Sequence, residues 1–204
     1  AWHRDHGQGT PETYRAFLES IGYLVPQGPQ FTVSTDGVDP EIASIAGPQL
    51  VVPVTNARYA INAVNARWGS LYDALYGTDV LGDSPPAGPY SEERGARVIA
   101  YARGLLDDCV PLESGSHLGS LAYRVEGNTL IVTDKDGHEI NATAPVVGWT
   151  GIAEAPSGIV VAHNNLHVHI VLDREHSVGA TDSAGIADVR LESAITVIMD
   201  CEDS

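Results

Sequence analysis

The chain reads as an α/β protein in which a strand-rich unit is set into a larger domain. Three observations predict this. Helix-period segments fill the first half, after residue 120 the apolar spacing falls to two, and short, mostly apolar runs, Leu50–Val54 and Ile195–Met199, stand on either side of that change.

Taken in order, Pro11–Ile21 carries Tyr14, Phe17, Leu18 and Ile21 at i, i+3, i+4 and i+7, with Thr10 placed to cap its start and Gly22 its end. Pro26-Gln27-Gly28-Pro29 breaks the pattern, and Phe31-Thr32-Val33 predicts a short strand. Asp39 before Pro40 marks a second helix start. From Asn56 to Tyr76, Ala57, Ala60, Ile61, Val64 and Trp68 recur at helical spacing, followed by Leu71, Ala74 and Leu75. A Gly/Pro/Asp-rich loop spans 77–90, and Glu92–Leu106 is an amphipathic helix with Val98, Ile99, Ala102, Leu105 and Leu106 on one side. Leu121–Val125 and Thr129–Thr133 predict a hairpin, Asp136-Gly137 a turn, and Gly158–Val161 and Leu166–Leu172 two strands around Asn164-Asn165. Ile195–Met199 is the last, buried strand.

Composition bounds the function. The 204 residues carry 11 Lys+Arg against 27 Asp+Glu, a net charge of −16, and the one lysine is Lys135. So large an acid excess excludes a phosphate-tracking nucleic-acid binder and a polybasic membrane anchor, and it resembles the acidic surface of salt-adapted proteins. No run approaches the roughly 18 apolar residues of a membrane span. Cys109 and Cys201 make neither a disulfide framework nor a zinc ribbon. The chain opens without Met or an apolar leader and stops just after an apolar strand, so it reads as an internal piece of a longer cytoplasmic protein.

Four groups of residues could carry chemistry. His163, His167 and His169 have a spacing that some metal sites use, but no Cys or Glu ligand set joins them, and a half-exposed strand places polar residues the same way. Cys201 lies among Asp200, Glu202 and Asp203, which would raise its pKa and exclude it as a nucleophile. Those carboxylates, at the C-terminal end of a strand, suit a hard cation such as Mg2+, or are a solvated acidic loop. Arg67-Trp68 offers a cation for phosphate and an aromatic plane for a base; its plainer alternative is a core Trp beside a surface Arg.

Two long strings, Asn56–Asp79 (with its core Asn65-Ala66-Arg67-Trp68-Gly69-Ser70-Leu71-Tyr72-Asp73-Ala74-Leu75-Tyr76-Gly77-Thr78-Asp79) and Glu192–Ser204, resemble the malate synthase G family. Arg94–Arg103, Val110–Ser116 and Asn165-Leu166-His167 are similar to it in the same order. The resemblance implies a Mg2+-dependent transferase of the glyoxylate cycle, which condenses acetyl-CoA with glyoxylate and hydrolyses the thioester to malate and CoA. It implies part of a (β/α)8 TIM barrel carrying an inserted strand-rich α/β domain. Residues 1–48 would end an N-terminal clasp and linker, 49–76 form the first barrel segment, 77–192 the insertion, and 193–204 a barrel strand with its acidic loop. Acetyl-CoA contacts would fall on Ala60, Arg67, Trp68 and Ser204. Asp200 and Glu202 would support the metal through water, with no direct metal ligand or catalytic residue in this segment. The intact enzyme would be a monomer binding acetyl-CoA and glyoxylate, with no nucleic acid or membrane partner. The family's general base and glyoxylate-polarising Arg belong to later segments, so this piece alone is expected to be inactive. A different reading is a non-catalytic strand-rich domain for binding or assembly.

Overall fold

The computed structural model describes residues 4, 7, 9–34, 36–45, 47–193 and 195–199, the last stretch by its backbone. The chain divides into two units, Ala1–Val38 and Asp39–Ser204. The first holds helix α1 (Pro11–Ser20), whose Thr10 side chain accepts from the Thr13 N–H and whose exit turns through Gly22 at φ 72°. The expected strand at 31–33 does not form.

The second unit begins with the short helix α2 (Pro40–Ala43), strand β1 (Gln49–Pro53) and helix α3 (Ala57–Asn65), capped by the Asn56 side chain on the Tyr59 N–H. The helical spacing that runs on through Trp68 does not continue the helix. The chain turns at Ala66-Arg67, makes the short strand β2 (Trp68–Ser70), and only then enters helix α4 (Leu71–Gly77), capped by Ser70. Helix α5 (Glu92–Cys109) follows, one turn longer than its apolar stripe predicts.

Seven more strands follow among the described residues: β3 (Ala122–Glu126), β4 (Thr129–Thr133), β5 (Glu139–Ile152), β6 (Ala155–His163), β7 (Leu166–Leu172), β8 (Ile186–Glu192) and β9 (Ile195–Met199). Strands β2 to β8 form one antiparallel sheet in the order β2-β8-β7-β6-β5-β4-β3. The β6–β7 hairpin turns through Asn164 and Asn165 at φ 51° and 62°, the doubly left-handed turn that matches strand twist. Its core lies between one face and α5: Val98, Ala102 and Leu106 of the helix pack with Leu130, Ile159, Ile170 and Ile186. Burying each of the larger side chains contributes roughly 1.5–3 kcal/mol.

Two arginines of α5 are buried with them. Arg94 donates to the carbonyls of Leu75, Tyr76 and Thr78, satisfying the open C-terminal end of α4, and pairs with Asp83 in the loop beyond. Arg103 makes a two-pronged pair with Asp182, 2.8 Å on each oxygen, and also donates to Ser120 and Tyr123. Asp182 in turn accepts the backbone N–H groups of Ala184 and Ile186. Fully buried His117 bonds the Val110 carbonyl through Nε2, so that nitrogen carries the proton, and Nδ1 accepts from the Tyr123 hydroxyl.

The α/β class and the strand-rich body are as expected. A closed barrel is not what the described residues form. Their parallel pairing is the two-stranded sheet β1–β9, in register from Gln49 opposite Ile195 to Pro53 opposite Met199, with α3 packed on both strands. The larger sheet is threaded between α3 and β9.

Candidate functional site

The chain leaves the β1–α3 segment at Ala66-Arg67 and returns to it at Ser193. These points are bonded to each other: the Ser193 N–H donates to the Arg67 carbonyl at 2.7 Å, and its hydroxyl donates to the carbonyls of Ala66 and Arg67. One residue further in, Trp68 stands opposite Glu192 in the β2–β8 pairing.

At this neck the Arg67 guanidinium meets Glu192, with Nε and Nη2 both 2.6 Å from Oε1. The other carboxylate oxygen accepts from the His167 backbone N–H at 3.0 Å and lies 2.8 Å from His167 Nδ1, which therefore carries a proton. Only 2% of the Glu192 side chain is exposed, against 31% of Arg67. Burial opposes ionisation of Glu192, but the bonds from His167 and Arg67 outweigh it and hold the carboxyl below its ordinary range.

Trp68 remains 38% exposed, with its ring centroid 6.4 Å from that of His167 and 6.3 Å, edge-on, from that of His169. His169 crosses over Gly158, where a Cβ would come within 2.6 Å of its Nε2. Burial, aided by Arg190, pushes the His169 imidazole below its ordinary pKa, and Asp188 only partly opposes this. Asp188 itself, accepting from the Ser70 hydroxyl and the Tyr72 N–H, is pushed up by burial.

The arrangement can offer a ligand hydrogen-bond donors and an aromatic plane. It offers a fixed guanidinium beside an exposed indole, with imidazoles behind. Of the residues singled out by sequence, Arg67 and Trp68 are adjacent here, and Ala60 is half-buried on α3. Asp200, Glu202 and Ser204, with Cys201, lie outside the described residues. His167 and His169 share a face beside Trp68, whereas His163 ends β6 and bonds Asn164. Among the described residues the group able to converge on a metal is instead Asp134, Asp136 and His138, in the β4–β5 turn. Sequence reasoning missed Glu192 and the role of His167. Their signal is a carboxylate on a strand position that the structure buries, 125 positions from its partner.

A family profile described as malate synthase G, alpha-beta insertion domain, matches residues 90–163. Malate synthase G of Halalkalibacterium halodurans is 48% identical over all of this chain and 29% of its own length. That of Corynebacterium efficiens is 45% identical over 97% of this chain and 27% of its own length, and that of Corynebacterium glutamicum 43% over 100% and 28%. The chain thus spans less than a third of the curated relatives it matches. Among the described residues no helix is long and apolar enough to cross a membrane.

Proposed function

This chain belongs with malate synthase G, matching a segment of those longer proteins from end to end, and on that premise we propose that it supplies the acyl-CoA-holding part of an enzyme that condenses acetyl-CoA with glyoxylate to give malate and CoA. The observation that carries this reading is Arg67, pinned by Glu192 beside the exposed Trp68. A guanidinium suits the phosphates of the carrier and an indole plane suits its adenine. Ala60 and Ser204 complete that contact set.

The reaction needs a base at the acetyl methyl and positive charge at the developing oxyanion. We place those groups in other segments of the longer enzyme, so that this piece alone would be inactive. Mg2+ would orient glyoxylate and polarise its carbonyl. Among the described residues the group able to converge on a cation, Asp134, Asp136 and His138, belongs to the β4–β5 turn, whereas Arg67 and Trp68 lie at the neck. We assign the cation to carboxylates elsewhere in the enzyme, with Asp200 and Glu202 ordering its waters.

The same reading gives the architecture. Parallel β1 and β9 with α3 packed on them make a βαβ unit, and a two-stranded sheet that leaves Val51, with Ile61 and Val64 of α3, exposed is marginal by itself. We assign the β1–α3 segment and residues 193–204 to a (β/α)8 barrel and the sheet between them to its insertion; of the segment 49–76 that the sequence reading gives the barrel, β2 and α4 join that sheet and its core. Residues 1–48 would be the end of the clasp. The intact enzyme is read as a cytoplasmic monomer.

Arg67→Ala in the full-length enzyme tests the reading. Loss of a charge-assisted contact worth about 1.5–3 kcal/mol should raise the acetyl-CoA KM about tenfold or more. The glyoxylate KM should stay near wild type. An unchanged acetyl-CoA KM removes Arg67 from the site.

A further inference from the structure

We propose that Glu192 is the positioning residue of the acyl-CoA site, acting through Arg67. The proposal rests on the reading that Arg67 contacts the carrier. Arg67 sits in the turn between α3 and β2 and carries a long, rotamer-rich side chain. Glu192 fixes it. Its Oε1 takes Nε and Nη2 together at 2.6 Å, which sets the guanidinium plane as well as its location.

Glu192 cannot follow a moving arginine, because its second oxygen is held by two donors of one residue, the N–H and Nδ1 of His167. Strand register also places it opposite Trp68, so the indole and the guanidinium are referred to a single buried carboxylate. A guanidinium frozen before the ligand arrives spares the ligand that ordering cost. The pairing also makes Arg67 electrically neutral as a unit. It then recognises an anion through directed N–H groups more than through net charge.

The test is a double-substitution cycle in the full-length enzyme with acetyl-CoA as the probe: Arg67→Ala, Glu192→Gln and both together. Glutamine keeps the shape of Glu192 but loses the charge and one acceptor. Glu192→Gln is expected to raise the acetyl-CoA KM about five- to tenfold, with kcat and the glyoxylate KM near wild type. In the Arg67→Ala background it should add little, because its target is already gone.

If Arg67→Ala raises the KM while Glu192→Gln leaves it unchanged, or if the two effects multiply in full, Glu192 is not a positioning residue and the Arg67 assignment still stands. If Arg67→Ala leaves the acetyl-CoA KM unchanged, both fall. A parallel change in kcat and both KM values marks a merely structural role and also overturns the proposal. Should Glu192→Gln not fold, Glu192→Asp, which keeps the charge but shortens its reach, carries the same cycle with the same outcomes.

Discussion

Arg67 and Glu192 lie 125 residues apart in the chain and 2.6 Å apart in space. Between them runs the antiparallel sheet, and beside them the Ser193 N–H closes on the Arg67 carbonyl. The ion pair is therefore both the candidate ligand holder and the pin at the base of the larger sheet. Any substitution here has a structural arm as well as a functional one, which is why substrate-specific KM values, and not activity alone, decide its role.

The second buried ion pair should matter for stability only. Asp182→Ala leaves the Arg103 guanidinium, 3% exposed, without its counter-charge and frees two backbone donors. We expect a loss of about 3–5 kcal/mol in urea unfolding, with Asp182→Asn milder because it keeps an acceptor. A loss below about 1 kcal/mol would mean that water reaches the pair.

Acid should destabilise the protein through His117. Burial holds its pKa below the ordinary value near 6.5, outweighing the Val110 bond and Asp107. The unfolded chain therefore binds the proton more readily. Stability is complete above about pH 6.5 and falls as the pH drops toward the lowered folded-state value. Melting midpoints between pH 7.5 and 5.5 should decline, and His117→Gln, less stable throughout, should show a shallower decline. His169, shifted in the same direction, supplies part of the remaining slope.

A net charge of −16 predicts self-repulsion that salt relieves. The melting midpoint should rise between low and molar KCl. A flat response would show that the acids are spaced widely enough to ignore one another.

The β6–β7 turn offers a local check. Asn165 sits at φ 62°, a conformation a β-branched residue adopts at a cost of roughly 1–2 kcal/mol. Asn165→Val should lower the unfolding free energy by about that amount, and Asn165→Gly should not.

Much of this fold is legible in local pattern. Thr10 and Gly22 bound α1 as their chemistry suggests, and the apolar stripe of α5 runs through Val98, Ala102 and Leu106. Two elements are hidden for identifiable reasons. Strand β2 is masked because Trp68, Leu71 and Leu75 prolong the helical spacing across a turn. Strand β5 is masked by Pro145, Gly148 and Gly151, which the structure accommodates at shifts in its pairing with β4 and β6. The buried arginines are the opposite case: Arg94 and Arg103 fall on the inner side of α5, where sequence alone expects carbon, because carbonyls and Asp182 await them there. At the candidate site, Arg67-Trp68 is conspicuous as a motif. Its partners are not, since only the folding of β7 and β8 brings Glu192 and His167 to it.

The bond from Ser193 to Arg67 has a consequence for how such a protein can change over generations. Because the departing and returning chain touch, everything from Trp68 to Glu192 is a loop of nearly zero span for the helix and strand that carry it. Lengthening or shortening that loop adds only slowly to the entropy of closing it, about 0.6 kcal/mol for each doubling. The sheet can therefore be trimmed, elaborated or exchanged like a cassette without asking its host to move. The one part of the cassette not free to drift is its hem, where Arg67 and Glu192 must be inherited together.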